Sequence, residues 1–232
     1  MSEIPPFTGF PEGAFEFLRQ IAVNNNKAWF EAHKSDYVEN LQRPAQAFVV
    51  TLGERLRPIF PAIGYDPRPH GGSLMRIYRD IRFSKDKSPY KTHIGANFWD
   101  GERKGEGSGF HFFMDAEGAR LYVGHHEFSK PLLQAYRAAV LDERQGKQLQ
   151  AAVAELQSAK GIELGGEQSK RVPAGLDADH PRADLLRHKA LYGRSPQIQV
   201  KTLQSPALVD RCLEYAQAME PLQRWFKQVA GG

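Results

Sequence analysis

The hydrophobic pattern of the chain changes its period twice, and this change limits the fold more than any other feature. Apolar residues recur at helical spacing over about 11–60, alternate with polar residues over about 73–126, and return to helical spacing over about 129–229. Alternation is typical of strands with one buried face, and helical spacing is typical of amphipathic helices. The sequence therefore predicts an α+β fold, in which a mainly antiparallel sheet of about four or more strands is flanked by N-terminal and C-terminal helices.

The predicted sheet consists of alternating segments joined by short or hairpin-like links, which favour antiparallel pairing. The segments are Ser73–Phe83, Tyr90–Phe98, Phe110–Asp115 and Ala119–His126. In the first segment, the alternation predicts that the Phe83 side chain points toward the core. We expect the helices to cover one face of this sheet.

Polar caps and prolines mark several helix boundaries. One of the three asparagines at 24–26 is expected to cap the second helix, in which a stripe at steps of four runs from Trp29 to Leu41. Ser129 is expected to cap a later helix in the same way. Pro221 is expected to kink or split the last helix, because proline cannot continue the hydrogen-bond ladder.

Composition describes a globular protein, for which we predict a single domain covering 1–232. The lone cysteine, Cys212, excludes an internal disulfide framework and favours a reducing compartment. The first ten residues lack the basic start and the apolar run of a signal peptide. No stretch approaches the roughly 20 apolar residues that a membrane span needs. We therefore expect a cytoplasmic protein without a membrane partner, and the sequence leaves its oligomeric state open.

The segment 76–92 concentrates the positive charge of the chain. It holds six Lys/Arg and two Asp, so its balance equals the formal net charge of +4 for the whole protein. Its apolar residues indicate folded backbone, since a solvated tail would lack them. Guanidinium groups bind phosphate or carboxylate through paired hydrogen bonds, and ammonium groups bind them as point charges. We therefore predict an anion-binding face with these ligand residues: Arg76, Arg79, Arg82, Lys85, Lys87 and Lys91.

Two alternatives use the same segment without a small anionic ligand. Tyr78, Phe83 and Tyr90 interleave with the basic residues, which is typical of a surface that binds nucleic acid by stacking. The inward phase of Phe83 and the modest net charge weigh against this second hypothesis. A third hypothesis is a non-catalytic interaction domain, in which the charges form an ion-pair network that fixes the hairpin register.

A second charged cluster lies in the irregular stretch 161–182, which is rich in Gly, Asp and Pro. Long irregular segments in compact chains are typical of functional loops. We hypothesise that this stretch is a strap over the polar sheet face, with Lys170, Arg171 and His180 closing the pocket. The alternative is a surface crossover whose Asp and Arg residues balance locally.

The sequence predicts no resident metal and no cofactor. Histidines are present at 93, 111, 125 and 126, but no His-Glu-x-x-His motif and no paired cysteines accompany them. Phosphate-binding, dinucleotide-binding and nucleophile-elbow motifs are also missing from the sequence. The sequence leaves open whether the protein is an enzyme. If it is one, His93, His180 and Asp80 are the candidate proton carriers among the fixed positive charges.

Several motifs together resemble a known protein family. The motifs are Asn-Asn-Asn-Lys-x-Trp-Phe at 24–30, Arg-Ile-Tyr-Arg-Asp-x-Arg-Phe-Ser-Lys-Asp-Lys-Ser-Pro-Tyr-Lys-Thr at 76–92, Lys-Arg-Val-Pro-x-Gly at 170–175 and His-Pro at 180–181. They resemble the bacterial and fungal proteins called domain of unknown function 2461, and the resemblance runs from about Phe15 to Phe226. The resemblance implies a single intracellular α+β domain, and it brings with it no activity, cofactor or catalytic residue.

Overall fold

Helices precede and follow a central sheet, as the hydrophobic period predicts. The computed structural model describes residues 4–101, 104, 108–159 and 161–230. The helices in this part of the chain are α1 (Glu12–Val23), α2 (Lys27–Ala32), α3 (Lys34–Asp36), a π-helical turn (Tyr37–Gln42), α4 (Arg43–Leu56), α5 (Lys130–Leu141), α6 (Glu143–Ser158), α7 (Ala183–Leu186), α8 (Val200–Leu203), α9 (Ala207–Ala218) and α10 (Glu220–Ala230). The strands are β1 (Ile63–Gly64), β2 (Ile94–Asp100), β3 (Gly109–Asp115), β4 (Gly118–His125), β5 (Glu163–Gly165) and β6 (Leu191–Arg194).

The strands of the described residues form one six-stranded sheet in the order β1-β2-β3-β4-β6-β5. Strand β6 pairs antiparallel with β4, where Tyr122 lies opposite Arg194, and with β5, where Glu163 lies opposite Arg194. The predicted α+β class and antiparallel central sheet are thus confirmed. The sequence did not predict β1, β5 and β6, because two to four residues containing glycine are too short to display a period.

The chain divides into two compact units. The first unit consists of Met1–Phe98, His111–Leu121 and Gln197–Glu214, and the second consists of Trp99–Phe110, Tyr122–Pro196 and Tyr215–Gly232. The single domain that the sequence predicts for 1–232 stays a prediction.

The core of the first unit forms where α4 packs its aromatic side chain on the sheet. The ring centroid of Phe48 lies 4.5 Å from that of Phe112 and 5.3 Å from that of Phe7. All three rings are at most 4% exposed, and burial of each stabilises the fold by about 1.5–3 kcal/mol. In β3 the alternation is confirmed, because Phe110, Phe112 and Met114 are buried while the residues between them are half-exposed.

The second unit contains the helix boundary that Pro221 predicts. Helix α9 ends at Ala218 and α10 begins at Glu220, so the predicted split near Pro221 is confirmed. The Trp225 indole of α10 donates to the Gln145 carbonyl of α6 at 2.9 Å. Ser129 caps α5 by accepting a hydrogen bond from the Leu132 amide at 3.4 Å, as predicted.

Arg182, a charged residue of the predicted strap, is buried in the second unit and forms hydrogen bonds there. Arg182 is 5% exposed, and its Nε donates to the Val140 carbonyl at 2.7 Å. Its Nη2 donates to the Leu141 carbonyl at 3.3 Å and to the Glu143 carboxylate at 3.2 Å. These groups lie at the end of α5 and the start of α6. Arg182 therefore donates hydrogen bonds to carbonyls that have no partner within the helix.

The first predicted strand, Ser73–Phe83, is wrong as a regular strand. Single antiparallel bridges join Leu74 to Ala96 and Tyr78 to Tyr90, and the last ladder hydrogen bond of this pair runs from the Arg79 amide to the Pro89 carbonyl at 2.9 Å. Beyond Arg79 no neighbouring strand imposes an alternation, because the chain leaves the ladder. Phe83 is therefore 95% exposed, whereas the sequence predicts that it points inward.

The predicted helix from Trp29 to Leu41 is also interrupted. Helix α2 ends at Ala32, and the chain passes through α3 and the π-helical turn before α4 begins. The His33 Nδ1 lies 2.8 Å from the Trp29 carbonyl oxygen, and its ring stacks on the Trp29 ring at 4.2 Å between centroids. The Trp29 and His33 rings thus remain in contact although α2 ends at Ala32, before His33. Across the described residues, every helix is too short or too polar to cross a membrane.

Candidate functional site

A polar cavity of about 450 Å³ opens in the first unit beside the basic segment. Its walls come from the α1–α2 junction and from the loop that follows Tyr78. The lining residues are Ala22, Asn25, Arg79, Asp80, Asp86, Ser88, Tyr90, Lys91, Thr92 and His93. This volume lies within the range of about 300–1,000 Å³ that small-molecule sites occupy.

A two-residue bulge in the hairpin builds one wall of the cavity. Three residues lie between Leu74 and Tyr78, whereas five lie between their bridge partners Tyr90 and Ala96. The longer side therefore carries two residues that have no counterpart across the ladder. Lys91, Thr92 and His93 lie on this longer side, and all of them line the cavity. Bulges commonly re-aim side chains beside functional sites, since the extra residues leave the regular alternation.

The three consecutive asparagines each make a different contact at the opposite wall. Asn24 ends α1, and Asn26 caps α2 by accepting a hydrogen bond from the Trp29 amide at 3.0 Å. Asn25 makes two hydrogen bonds to the backbone of Tyr90: its Nδ2 donates to the Tyr90 carbonyl at 2.9 Å, and its Oδ1 accepts from the Tyr90 amide at 3.0 Å. The predicted cap is confirmed, and Asn25 additionally fixes the helix junction to the bulged strand.

Arg79 and Asp86 form the third wall. The Arg79 guanidinium pairs with the Asp86 carboxylate and donates to the Ser88 carbonyl at 3.0 Å. Asp86 also accepts hydrogen bonds from the Ser88 hydroxyl at 2.7 Å and the Ser88 amide at 2.9 Å. These Ser88 bonds, followed by the Arg79 pair, lower the pKa of Asp86 to about 2. Asp86 therefore stays ionised, and the Arg79 side chain stays fixed against the cavity with 26% exposure.

Lys91 lies in the cavity close to further positive charge. Its ammonium donates to the Arg76 carbonyl at 2.7 Å. Partial burial lowers the pKa of Lys91, and the positive charge of Arg76 lowers it further. Burial also lowers the pKa of His93, and the Lys91 charge adds to that effect although Asp115 opposes it. His93 is therefore neutral near physiological pH, while Lys91 and Arg76 repel each other.

The cavity brings together only part of the predicted ligand set. Arg79 and Lys91 line it, together with the candidate proton carriers Asp80 and His93. The predicted ligands that lie on the same segment without lining the cavity are Arg76, Arg82, Lys85 and Lys87. Lys170, Arg171 and His180 belong to the second unit, where the Nδ1 of His180 accepts a hydrogen bond from the Arg182 amide at 3.1 Å. All of these ligand assignments stay predictions.

Several of the remaining charges are already engaged within the segment. The Arg82 guanidinium binds both carboxylate oxygens of Asp80, at 3.0 and 2.7 Å. Hydrogen bonds from the Arg82 side chain and amide lower the pKa of Asp80. The Lys87 ammonium donates to the Ile81 carbonyl at 2.9 Å. These bonds shape the loop after Arg79, and the Arg82 and Asp80 side chains are 77% and 46% exposed.

Sequence reasoning missed the polar residues that carry no charge. Asn25 and Thr92 line the cavity, and Asn25 lies 65 residues from its partner Tyr90. A signal was available, because Asn25 and Tyr90 both fall in motifs that the sequence analysis singled out. The sequence does not reveal that the two motifs meet.

A metal site and a reactive thiol are the two other kinds of site that His and Cys residues could form. Among the described residues, no three His, Cys, Asp or Glu side chains form a group that could hold a metal ion. Cys212 is buried, and burial raises the pKa of its thiol, so this side chain packs as a small apolar residue.

The family to which the chain belongs follows from comparison with known proteins. Residues 13–225 match the model of the family described as "Conserved hypothetical protein (DUF2461)". The match covers most of the chain, and the protein therefore belongs to this family. No curated protein matches the chain.

Proposed function

We propose that the cavity of the first unit binds a small anionic ligand through a phosphate or carboxylate group. Lys91 and Arg79 supply positive charge to this group, and Thr92 and His93 supply hydrogen bonds. Arg76 adds positive charge near Lys91. The proposal reduces the predicted ligand set to the residues of the bulge and their immediate neighbours.

The observation that carries this proposal is the arrangement of Lys91, Thr92 and His93 in the bulge. The ammonium of Lys91 uses one of its three donors on the Arg76 carbonyl, and two remain. Within the described part of the chain, the Thr92 hydroxyl and the His93 ring nitrogens have no hydrogen-bond partner. Three consecutive residues with uncommitted polar groups thus line one cavity, and such a concentration of polar residues is typical of ligand sites.

The charge balance of the segment supports an anion in preference to a cation. The carboxylates of Asp80 and Asp86 are paired with Arg82 and Arg79. In the described residues no carboxylate lies within salt-bridge distance of the other four cations of 76–92, which are Arg76, Lys85, Lys87 and Lys91, although the Asp80 carboxylate attracts Arg76 at longer range. The positive charge of Arg76 disfavours the charged form of Lys91, and a bound phosphate would offset this repulsion.

The volume of the cavity supports an organic ligand larger than phosphate itself. Its 450 Å³ accommodates a phosphorylated or carboxylated small molecule whose charged end meets Lys91. If the protein transforms this ligand, His93 is the favoured proton acceptor, because its neutral ring can take a proton near physiological pH. Asp80 is less suited to that role, since Arg82 holds its carboxylate in the ionised form.

Thermal denaturation and calorimetric titration with inorganic phosphate test the proposal. Saturation at about 100 times the Kd should raise the free energy of unfolding by about 2.7 kcal/mol. Lys91→Gln should weaken phosphate binding by about 10- to 100-fold, since it removes a charge-assisted hydrogen bond. Lys85→Gln is the matched control, because it removes the same charge from the same loop outside the cavity.

Equal losses of affinity in the Lys91 and Lys85 variants would contradict a site in the cavity. That result would mean that the affinity for phosphate depends only on the overall charge of segment 76–92. Absence of phosphate binding, followed by absence of any hit in a thermal-shift screen of phosphorylated and carboxylated metabolites, would refute the function itself.

We also propose a cytoplasmic location. It rests on the single cysteine, which is compatible with a reducing compartment and whose thiol is buried. Cell fractionation with an antibody against the protein tests this proposal, and recovery in a membrane or secreted fraction would contradict it.

A further inference from the structure

Exposed apolar side chains concentrate in one short stretch beside the cavity. The exposed large apolar residues of the described chain are Val23, Met75, Tyr78, Phe83 and Leu141. Three of these five lie within residues 75–83, and Phe83 is the most exposed at 95%. A single exposed ring needs no explanation, but clustered ones on a charged segment mark a contact surface.

The loop holds Phe83 at the tip of a defined turn. The Ser84 amide donates to the Ile81 carbonyl at 3.3 Å, which closes the turn around Arg82 and Phe83. The Lys87 ammonium donates to the same carbonyl at 2.9 Å, so it stands beside this turn. The Phe83 ring is therefore presented to solvent by hydrogen-bonded backbone.

One positive group lies over the Phe83 ring, and further cations flank the exposed rings in the sequence. The Arg82 guanidinium carbon lies 5.9 Å from the centroid of the Phe83 ring. Lys85 is exposed and has no carboxylate partner among the described residues, and Arg76 stands two positions before the half-exposed ring of Tyr78. Rings and cations thus alternate along the stretch from Arg76 to Lys87.

We propose that this stretch, 76–87, binds single-stranded nucleic acid. Each base offers a flat π-face that can stack on Phe83 or Tyr78, and each phosphate offers the negative charge that Arg76, Lys85 and Lys87 complement. Double-stranded DNA would require a helix or strand that enters a groove, whereas this surface is a short loop. A membrane surface would require a larger apolar area than Met75, Tyr78 and Phe83 offer among the charged residues of this stretch.

The exposed position of Phe83 removes one of the two objections that the sequence raises. Alternation predicts an inward ring, which could not stack on a base. In the folded chain the ring lies outside the ladder and is accessible to a base. This inference goes beyond the cavity, because it uses side chains that do not line it.

Fluorescence anisotropy with a labelled oligo(dT) of about 12 nucleotides tests the proposal. Phe83→Ala should weaken binding by about 5- to 150-fold, the range expected for the loss of one base–aromatic stack. Phe83→Trp should restore binding, because it restores a stacking face. The logarithm of the affinity should fall with the logarithm of salt concentration, and Lys85→Gln should reduce that slope by about 0.7.

Matched variants separate this surface from the cavity. Phe83→Ala should leave phosphate binding and the melting temperature unchanged, since its side chain contributes almost no buried area. Lys91→Gln should weaken phosphate binding and leave the effect of Phe83→Ala on oligonucleotide affinity intact. Oligonucleotide binding that is equal in wild type and Phe83→Ala would overturn the proposal. It would also be overturned if the protein ignored oligo(dT) and bound vesicles containing phosphatidylserine through Phe83.

Discussion

Replacement of Asn25 with alanine removes the side chain that joins the α1–α2 junction to the bulged strand. Two hydrogen bonds to the Tyr90 backbone are lost, and Tyr90 is 2% exposed, so water is poorly able to replace them. Each lost bond costs about 1 kcal/mol, and a buried group that stays unpaired costs about 1 kcal/mol more. We therefore expect the free energy of unfolding to fall by about 2–4 kcal/mol.

Urea denaturation followed by circular dichroism measures this loss. The slope against urea should stay that of wild type, because the variant exposes the same surface on unfolding. Asn26→Ala is the matched control, since it removes a neighbouring amide of the same motif that caps α2 and donates only locally, to the Asn24 carbonyl, at a cost of about 1 kcal/mol. If Asn25→Ala were no more destabilising than Asn26→Ala, the Tyr90 hydrogen bonds would contribute little and the reasoning would be refuted.

Other predictions concern the second unit. Arg182→Met should lower the free energy of unfolding by about 3 kcal/mol, because it leaves carbonyls at the end of α5 without a donor. Glu143→Gln should destabilise much less, since Glu143 is 71% exposed and the carbonyls keep their donor. With His125→Phe, the free energy of unfolding should fall less steeply as the pH is lowered. Burial first, and then His126, lowers the pKa of His125 to about 4 from an ordinary 6.5. The unfolded chain therefore takes up the proton first, and stability falls as pH drops from 6.5 toward 4, by up to about 3 kcal/mol. Denaturant titrations at several pH values check this, and an unchanged acid slope in His125→Phe would contradict it.

The sequence predicts those parts of the fold that depend on local chemistry. The cap supplied by Asn26, the cap supplied by Ser129 and the split near Pro221 each follow from a few neighbouring residues. The buried face of β3 follows from strict alternation, because both flanking strands hold it in register. Local patterns are reliable where the neighbouring structure agrees with them.

The site could be predicted only in part, because its shape depends on pairing between distant segments. Alternation alone places Lys91 and His93 on one face, and it cannot reveal the two extra residues between Tyr90 and Ala96 that turn Thr92 toward the same cavity. The exposure of Phe83 has the same origin, since it depends on where the ladder ends. The hydrogen bonds of Asn25 join segments 65 residues apart, and no periodicity encodes that distance.

The sequence could least predict which charged residues are buried and bind backbone groups inside the protein. Arg182 belongs to a stretch that resembles a charged strap, yet its guanidinium serves the end of a helix inside the second unit. Charge counting treats such a residue as part of a surface. The distinction requires knowledge of which carbonyls lack partners, and that knowledge comes from the packed helices.

Amide chemical-shift mapping during titration with inorganic phosphate tests the central claim most directly. The account predicts that the largest saturable shifts fall on Arg79 and on the bulge residues Lys91, Thr92 and His93, and that Lys91→Gln abolishes them at the same phosphate concentration. Shifts that are spread over all exposed basic residues, or that persist unchanged in Lys91→Gln, would contradict an anion site in this cavity.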